Sequence, residues 1–173
     1  MRLLDPWRAL RAFRALSRRQ RGIVFYSEGR HDWPHLEPLV CHLAGPLART
    51  ICYVSSEEDD PGLTPGEARV LAFCIGNGAA RTVFFRTLEA DVMVMTMPDL
   101  EIFHIKRSVH SVRYVYVYHS MVSTHMIYRK GAFDHFDTIF CVGPHHVREL
   151  RESEALGGLP SRELVEHGYG RLD

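Results

Sequence analysis

The chain of 173 residues has no excess of charge of either sign, because its 21 Lys and Arg balance its 21 Asp and Glu. Domains that bind nucleic acid usually carry a strong positive field, so this balance argues against nucleic acid as a partner. Long apolar runs are also missing, since none approaches the roughly 20 residues that cross a bilayer. The N-terminus lacks the apolar core and cleavage site of a secretory signal. We therefore expect a cytoplasmic protein.

Cysteine is scarce, and its four residues stand far apart in the sequence. No Cys-x-x-Cys pair and no His/Cys spacing of a zinc site occurs, which argues against a structural metal. Three of the four lie in apolar runs that predict strands. We expect all four to be reduced thiols of a cytosolic protein. They are Cys41, Cys52, Cys74 and Cys141.

Glycine-rich nucleotide motifs are missing as well. The first predicted strand is followed by Ser27-Glu28-Gly29-Arg30, where a dinucleotide-binding protein would carry Gly-x-Gly-x-x-Gly. No acidic residue directly follows Val54, at the end of the second predicted strand, to hold a ribose. A nicotinamide-dependent oxidoreductase is therefore disfavoured, and we expect no bound cofactor.

What the sequence does contain is an alternation of short apolar runs with helical patterns, typical of a parallel sheet with crossover helices. With 46% hydrophobic residues, the chain can form one globular domain with a real core. We predict an α/β, Rossmann-like, doubly wound fold with a mainly parallel sheet of about six or seven strands and helices on both faces. The strands are predicted at residues 23–26, 50–54, 70–75, 92–97, 112–118 and 138–142, and the main helices at residues 33–43, 79–88 and 145–156.

Residues 1–21 form a basic segment with seven arginines, which we treat separately from the predicted domain at residues 22–173. Asp5-Pro6 is a good helix start, with Asp at the cap and Pro in the first turn. Trp7, Leu10, Phe13 and Leu16 are interleaved with the arginines, so the helix could lie on an anionic membrane surface. The alternative is a helix that packs on the domain and solvates its arginine face.

The most informative stretch is the strand predicted at residues 112–118, which ends at His119-Ser120. Its continuous β-branched and aromatic residues indicate a strand covered on both faces. Open α/β sheets bind ligands at the carboxyl ends of their strands. An imidazole titrates near neutrality, so His119 could act there as a general base toward a hydroxyl. With eleven histidines in the chain, the alternative is a surface or structural histidine.

Other polar and glycine residues fall at the same predicted edge or precede and follow His119 in sequence. Gly76 and Gly78 could expose backbone amides to a phosphate, although an ordinary tight turn is the favoured interpretation. The cations could bind a phosphorylated acceptor. We take as candidate substrate-binding residues Ser120, Lys106, Arg107, Arg129, Lys130, Asp99, Gly76 and Gly78, with His119 as the catalytic candidate.

Several sequence words resemble the CDP-glycerol glycerophosphotransferase family of teichoic acid synthesis. They are Tyr-His-Ser at 118–120, Thr-Met-Pro-Asp-Leu at 96–100, Ala-Phe-Asp-His-Phe-Asp-Thr-Ile-Phe-Cys-Val-Gly at 132–143 and Gly-Tyr-Gly-Arg-Leu-Asp at 168–173. In that family a Trp-His-Gly-Thr motif ends a strand of the N-terminal domain, and its histidine is the base. His119 matches that position, while Tyr118 and Ser120 depart from the motif.

The resemblance implies the N-terminal, acceptor-side half of a GT-B architecture. The donor CDP-glycerol would bind mainly to a C-terminal domain that is absent from this sequence, so we expect the chain alone to be inactive. The implied reaction moves glycerol phosphate to an acceptor hydroxyl, on a lipid-linked or polymer acceptor at the inner face of the cell membrane. A divalent metal could assist, but no residues form a dedicated site for one.

Two alternatives stay open. The departures at Tyr118 and Ser120 fit a divergent branch, such as a GT-B glycosyltransferase that uses a different nucleotide-linked donor. The chain could also be a non-enzymatic Rossmann-like module that binds a partner or a nucleotide-like ligand.

Overall fold

A computed structural model describes residues 5–103 and 105–170. All strand pairings are parallel, and the strands join in one sheet of seven. The strands are rich in β-branched and aromatic side chains, which suit a sheet that is buried on both faces. They are β1 (Ile23–Ser27), β2 (Ile51–Ser55), β3 (Val70–Cys74), β4 (Val92–Met95), β5 (Arg113–Val117), β6 (Thr138–Cys141) and β7 (Glu163–Glu166).

One helix precedes the first strand, and the others lie in connections between strands. Three of them have proline in the first turn, where a backbone N–H has no intrahelical partner. They are α1 (Pro6–Arg14), α2 (Trp33–Ala44), α3 (Ala79–Arg86), the single turn α4 (Thr124–Ile127) and α5 (Pro144–Gly157), with a 3₁₀ turn at Pro61–Leu63.

The order of the strands across the sheet is β3-β2-β1-β4-β5-β6-β7. The chain therefore winds in one direction from β1 to β3 and in the other from β4 to β7. The order reverses between β1 and β4, which makes their carboxyl ends the topological switch point where such sheets form a crevice. The fold is the expected α/β, Rossmann-like, doubly wound arrangement, and the expected number of strands is confirmed.

Two hydrophobic clusters lie on the two faces of the sheet. The larger joins α1, α3 and α5 to side chains such as Tyr26, Met95 and Tyr116. The smaller joins α2 to Phe25, Val94 and other side chains of the opposite face. Side chains therefore alternate between two cores along each central strand. Because both faces of the sheet are packed, the strand ends that carry the candidate site residues are held in place.

Helix α1 uses its apolar side for this packing. Asp5 caps it, because its carboxylate accepts a hydrogen bond from the Trp7 amide at 3.0 Å. Leu10 and Phe13 are buried, and the Phe13 ring packs edge-on against Phe73 and Phe84. Of the two alternatives for this segment, the structure thus has the helix packed on the domain. Among the described residues, no helix has the length and apolar character needed to cross a bilayer.

The four cysteines are free. Cys52, Cys74 and Cys141 are buried in strands, as the sequence predicted, and Cys41 is half-buried on α2. Burial raises the pKa of the Cys52 thiol to about 12, so this side chain is protonated at neutral pH and behaves as a small apolar core residue.

Candidate functional site

His119 lies two residues beyond the end of β5, at the carboxyl edge of the sheet. Its side chain is half-buried, and its ring centroid is 5.7 Å from that of His35 on α2. The Tyr169 hydroxyl donates a hydrogen bond to the His119 carbonyl at 3.4 Å. β5 is the neighbour of β4, so the imidazole stands one strand away from the switch point. The sequence-based placement of His119 at this edge is therefore confirmed.

A chain of two hydroxyls orients the His119 ring. The Tyr116 hydroxyl donates to the Tyr128 oxygen at 3.2 Å, and Tyr116 Oη lies 3.5 Å from His119 Nδ1. Because the Tyr116 proton points toward Tyr128, a lone pair of Tyr116 Oη faces Nδ1. This favours the tautomer with the proton on Nδ1, in which Nε2 carries the lone pair. Burial raises the pKa of Tyr116 well above its ordinary value, so the hydroxyl stays protonated.

The surroundings keep His119 neutral. Burial lowers its pKa below the ordinary value of 6.5, and the Asp32 carboxylate and a backbone hydrogen bond at Val117 oppose this effect only in part. At pH 7 the imidazole is therefore unprotonated. A neutral imidazole with its lone pair on Nε2 is the form that a general base requires.

The amino end of α2 supplies the opposite wall of the His119 crevice. Asp32 precedes the helix, and its carboxylate accepts a hydrogen bond from the Glu28 amide at 2.7 Å. In dinucleotide-binding folds the amides of this first turn bind a pyrophosphate. Here a carboxylate already occupies one of those amides, and Glu28 adds a second negative charge. The β1–α2 turn thus disfavours a pyrophosphate, in line with the missing glycine motif.

A buried polar network anchors the ends of β1 and β2 below this crevice. The Asp60 carboxylate accepts hydrogen bonds from the hydroxyls of Ser27 at 2.6 Å, Ser55 at 2.7 Å and Tyr53 at 3.1 Å, and from the Gly62 amide at 2.9 Å. Asp60 is only 3% exposed. Such a fully satisfied network fixes the turn that follows β1.

A pocket of about 400 Å³ opens at the switch point, beside this turn. Arg81 of α3 enters it, with Nη1 3.4 Å from the Tyr26 hydroxyl and 3.9 Å from the Glu28 carboxylate. Arg81 Nε is buried and has no hydrogen-bond partner among the described residues. The pocket is lined by Glu28, Arg81, Met97, Pro98, Asp99, Phe103 and Ile105, and we call it the switch pocket.

Asp99 borders the switch pocket from the loop that follows β4. It has a φ of +65°, a left-handed conformation that Asp and Asn adopt more readily than most residues. Its amide donates to the Ala132 carbonyl at 2.9 Å, and its carboxylate accepts from Arg129 Nε at 2.7 Å. The Arg129 guanidinium in turn lies 4.2 Å from the centre of the Phe103 ring. Two predicted site residues, Asp99 and Arg129, are therefore paired at this edge.

Arg107 lies at the opposite end of the sheet. Its guanidinium donates to the carbonyls of His135 and Val112, which precede β6 and β5, and pairs with Asp137 at 2.9 Å. The length of β5, about 16 Å for five residues, separates this position from the edge that carries His119. The structure therefore does not bring Arg107 and His119 together. Arg107 is close to His119 in sequence, but it lies in the loop between β4 and β5. That loop returns to the amino edge, where β5 begins.

The other predicted substrate-binding residues are scattered. Ser120 adjoins His119, and its hydroxyl accepts from the Val122 amide at 3.4 Å. Lys106 donates to the Glu101 carbonyl in the β4–β5 loop. Lys130 is exposed and lines a second pocket of about 360 Å³ between residues 124–134 and α5.

Gly76 and Gly78 follow β3, four strands away from β5 in the sheet order, or about 19 Å at the usual strand spacing. Gly76 has a φ of +64°, a conformation that glycine adopts without strain, which fits the tight turn favoured from the sequence. The two glycines therefore do not belong to the cluster around His119.

His146 shows what a structural histidine looks like in this chain. It is fully buried and stacks on Tyr118 at 4.1 Å. Nδ1 accepts from the Val142 amide at 3.4 Å, so Nε2 carries the proton and donates to the Val122 carbonyl at 2.9 Å. Burial lowers the pKa of this imidazole too. Both ring nitrogens of His146 are hydrogen-bonded to the backbone, which distinguishes this buried residue from the half-buried His119.

Sequence reasoning missed four contributors to this edge: Asp32, His35, Tyr128 and Arg81. Asp32 and His35 are three apart at the start of a predicted helix, so both face the neighbouring strand end. That spacing, next to the predicted strand end at residues 23–26, was a usable signal. Tyr128 and Arg81 gave none, because their approach depends on tertiary packing. In the part of the chain that the structure describes, no cluster of three or more His, Cys, Asp or Glu residues could hold a metal ion.

Comparisons with known proteins found no matching family model, no similar curated protein and no similar solved structure. The family resemblance drawn from sequence words therefore stays a prediction. The fold and the geometry of the carboxyl edge are what support a functional proposal.

Proposed function

We propose that the chain is the acceptor-side domain of a CDP-glycerol glycerophosphotransferase-like enzyme of GT-B architecture. The observation that carries the proposal is the half-buried, neutral imidazole of His119 at the carboxyl edge, beside the switch point. Its orientation by Tyr116 favours Nε2 as the proton acceptor. The sequence resemblance adds a reaction class, because His119 matches the position of that family's base.

In the proposed reaction an acceptor hydroxyl attacks the β-phosphorus of CDP-glycerol. A bond forms between the acceptor oxygen and that phosphorus, and the bond from the phosphorus to the bridging oxygen breaks. CMP leaves with the bridging oxygen, and the hydroxyl proton moves to Nε2 of His119. Phosphoryl transfer depends mainly on positioning and charge stabilisation, so a base of this kind contributes one part of the rate.

Asp32 has a supporting role in this scheme. When His119 takes up the proton it becomes an imidazolium, and the Asp32 carboxylate stabilises that charge, since its field favours the protonated form. His35 and Tyr169 hold the ring and its backbone from the α2 side. These residues position the base without reacting themselves.

The proposal is tested by CMP release from CDP-glycerol with a glycerol-phosphate-bearing lipid as acceptor. The enzyme is the full-length product of the gene that encodes this chain. His119→Ala should lower kcat/KM by about a hundredfold or more, and added imidazole should restore part of the lost rate. His110→Ala is the matched control, because His110 is exposed and lies near the amino edge. Unchanged turnover in His119→Ala would rule out the proposed base.

The non-enzymatic alternative is answered by the same assay. If the full-length product releases no CMP from CDP-glycerol, the glycerophosphotransferase proposal fails. A different nucleotide-linked donor that is turned over with the same dependence on His119 would then support a related GT-B transferase.

A further inference from the structure

We propose that the switch pocket binds the hydroxyl-bearing end of the acceptor as an uncharged polyol or sugar, recognised by Glu28, Asp99 and Arg81 rather than as a phosphate. The inference rests on the proposed function in that it identifies the bound group as the acceptor. It departs from the expectation that cations at this edge hold an acceptor phosphate.

The charges around the pocket favour a neutral ligand. Glu28 and Asp99 offer carboxylates, while the guanidinium of Arg81 approaches Glu28 at 3.9 Å and that of Arg129 binds Asp99 at 2.7 Å. Each positive charge is thus offset by a carboxylate of the same wall. A phosphate in this space would face both carboxylates at short range, and like charges repel strongly where solvent screening is weak.

The hydrogen-bonding groups fit hydroxyls in both directions. A hydroxyl can donate to a carboxylate and accept from a guanidinium, so Glu28 and Asp99 would act as acceptors and Arg81 as a donor. Burial at the turn and the neighbouring Asp32 carboxylate raise the pKa of Glu28, and Arg81 opposes them.

The remaining surface of the pocket is apolar. Met97, Pro98 and Ile105 line it, together with Phe103, which is 59% exposed. A small number of polar groups on an apolar wall is the usual composition of a small-molecule site. The C–H face of a sugar or polyol can pack against such a wall while its hydroxyls meet the charged groups.

The pocket and His119 lie on the same edge of the sheet. Tyr26 pairs with Met95 and Met95 pairs with Tyr116 in the strand register, so Tyr26 and Tyr116 are two strand spacings apart, about 10 Å. Arg81 lies against the Tyr26 hydroxyl and His119 against the Tyr116 hydroxyl. A ligand that fills the pocket and continues along this edge by a further hydroxyl-bearing unit can therefore direct a hydroxyl toward the imidazole.

The test is ligand binding to the 173-residue chain, followed through the methyl NMR signals of Met97 and Ile105. Two matched pairs of probes are compared: glycerol with glycerol 3-phosphate, and methyl α-glucopyranoside with glucose 6-phosphate. At least one neutral probe should shift both signals and bind there more tightly than its phosphorylated partner. Tighter binding of both phosphorylated probes at these methyls, or no shift from either neutral probe, would overturn the proposal.

Two variants locate the contact. Glu28→Gln and Asp99→Asn keep the size of each side chain, and Asn also tolerates the positive φ at position 99. Each should weaken binding of the neutral probe by about tenfold, as expected for the loss of a hydrogen bond to a charged group. Glu152→Gln, an exposed change on α5, is the control. Unchanged affinity in both pocket variants would contradict the assignment. Because no turnover is measured, failure here is distinct from failure of the transferase proposal.

Discussion

The two edges of the sheet use their charged residues differently. At the amino edge, cations are bound to carboxylates and backbone carbonyls, as in the ion pairs of Arg18 with Asp91, Arg21 with Glu89 and Arg107 with Asp137, all at 2.9 Å or less. The carboxyl edge has one such close pair, Arg129 with Asp99 at 2.7 Å. Its other groups are looser, because Arg81 and Glu28 approach only to 3.9 Å and His119 meets the Tyr116 hydroxyl at 3.5 Å. The amino edge thus binds most of its cations to its own carboxylates, whereas the carboxyl edge keeps Arg81, Glu28 and His119 available to a ligand.

The difference follows from the topology. In a parallel sheet, the loop that leaves each strand begins at the carboxyl edge. The loops after β1 and β4 lead away in opposite directions, which leaves a crevice between them. Thr96, the residue after β4, is buried with a hydroxyl that has no partner among the described residues. A partly satisfied edge costs stability, which the closed edge and the two cores offset. We expect substitutions at the amino edge to change stability and those at the carboxyl edge to change binding and rate.

The largest expected effect is on stability and concerns Asp60. This residue is an exception to the division between the two edges, because it lies at the carboxyl edge but stabilises the fold. Asp60→Ala removes the acceptor of three buried hydroxyls and one amide. We expect a loss of about 3–5 kcal/mol in the free energy of unfolding, measured by urea denaturation. Asp59→Ala, which removes an exposed ion pair with Arg30, should cost about 0–1 kcal/mol. A loss below 1 kcal/mol in Asp60→Ala would contradict the assigned role of the network.

The next prediction concerns the amino edge. Arg107→Met removes hydrogen bonds to two carbonyls and an ion pair with Asp137, which also accepts from the Tyr114 amide. We expect a loss of about 1–2 kcal/mol in the free energy of unfolding, because the side chain is partly exposed and water replaces some of these bonds.

The same Arg107→Met variant should bind the neutral probes of the switch pocket with unchanged affinity. Arg19→Met is its control for stability, since Arg19 is exposed and makes no hydrogen bond or ion pair among the described residues. Weaker probe binding in Arg107→Met, at full folding, would mean that the two edges are not independent.

Much of the fold could be predicted from the sequence because the strands are buried on both faces. Runs such as the one around Tyr116 are continuously apolar, and their ends carry glycine, proline or charge, so the sequence predicts the first six strands to within one or two residues. The last strand, Glu163–Glu166, was not assigned as a strand, because two glutamates flank only two apolar residues. The seventh strand lies at the edge, where one face needs less apolar surface.

The site was less predictable than the fold. The rule that ligands bind at the carboxyl ends of strands predicts the edge of the sheet, but it does not predict where the loop residues lie. His119 directly follows a strand, so its edge could be inferred. Arg107 stands in a loop that returns along the sheet, and sequence proximity to His119 gave the wrong neighbourhood. The contact between Arg81 and Glu28 joins two connections that are 53 residues apart in the chain. Only the packed structure brings them together.

The smallest expected effect sharpens the comparison at the carboxyl edge itself. Asp32→Asn removes the carboxylate whose field raises the pKa of His119, while burial continues to lower it. The pKa of His119 should therefore fall further below its ordinary value. An NMR titration of the His119 ring measures the direction of the change. Glu37→Gln is the control, because Glu37 is exposed on the same helix.

The sign of the accompanying stability change follows from the same shift. Since the folded pKa of His119 lies below the unfolded value of about 6.5, the unfolded chain binds more protons as the pH falls through that value. The free energy of unfolding therefore decreases on acidification below about pH 6.5, until the folded imidazole titrates as well. Asp32→Asn should extend this decrease to lower pH. An upward shift of the His119 pKa in Asp32→Asn would contradict the assigned effect of the Asp32 carboxylate. It would mean that the substitution mainly makes the His119 ring more exposed to water.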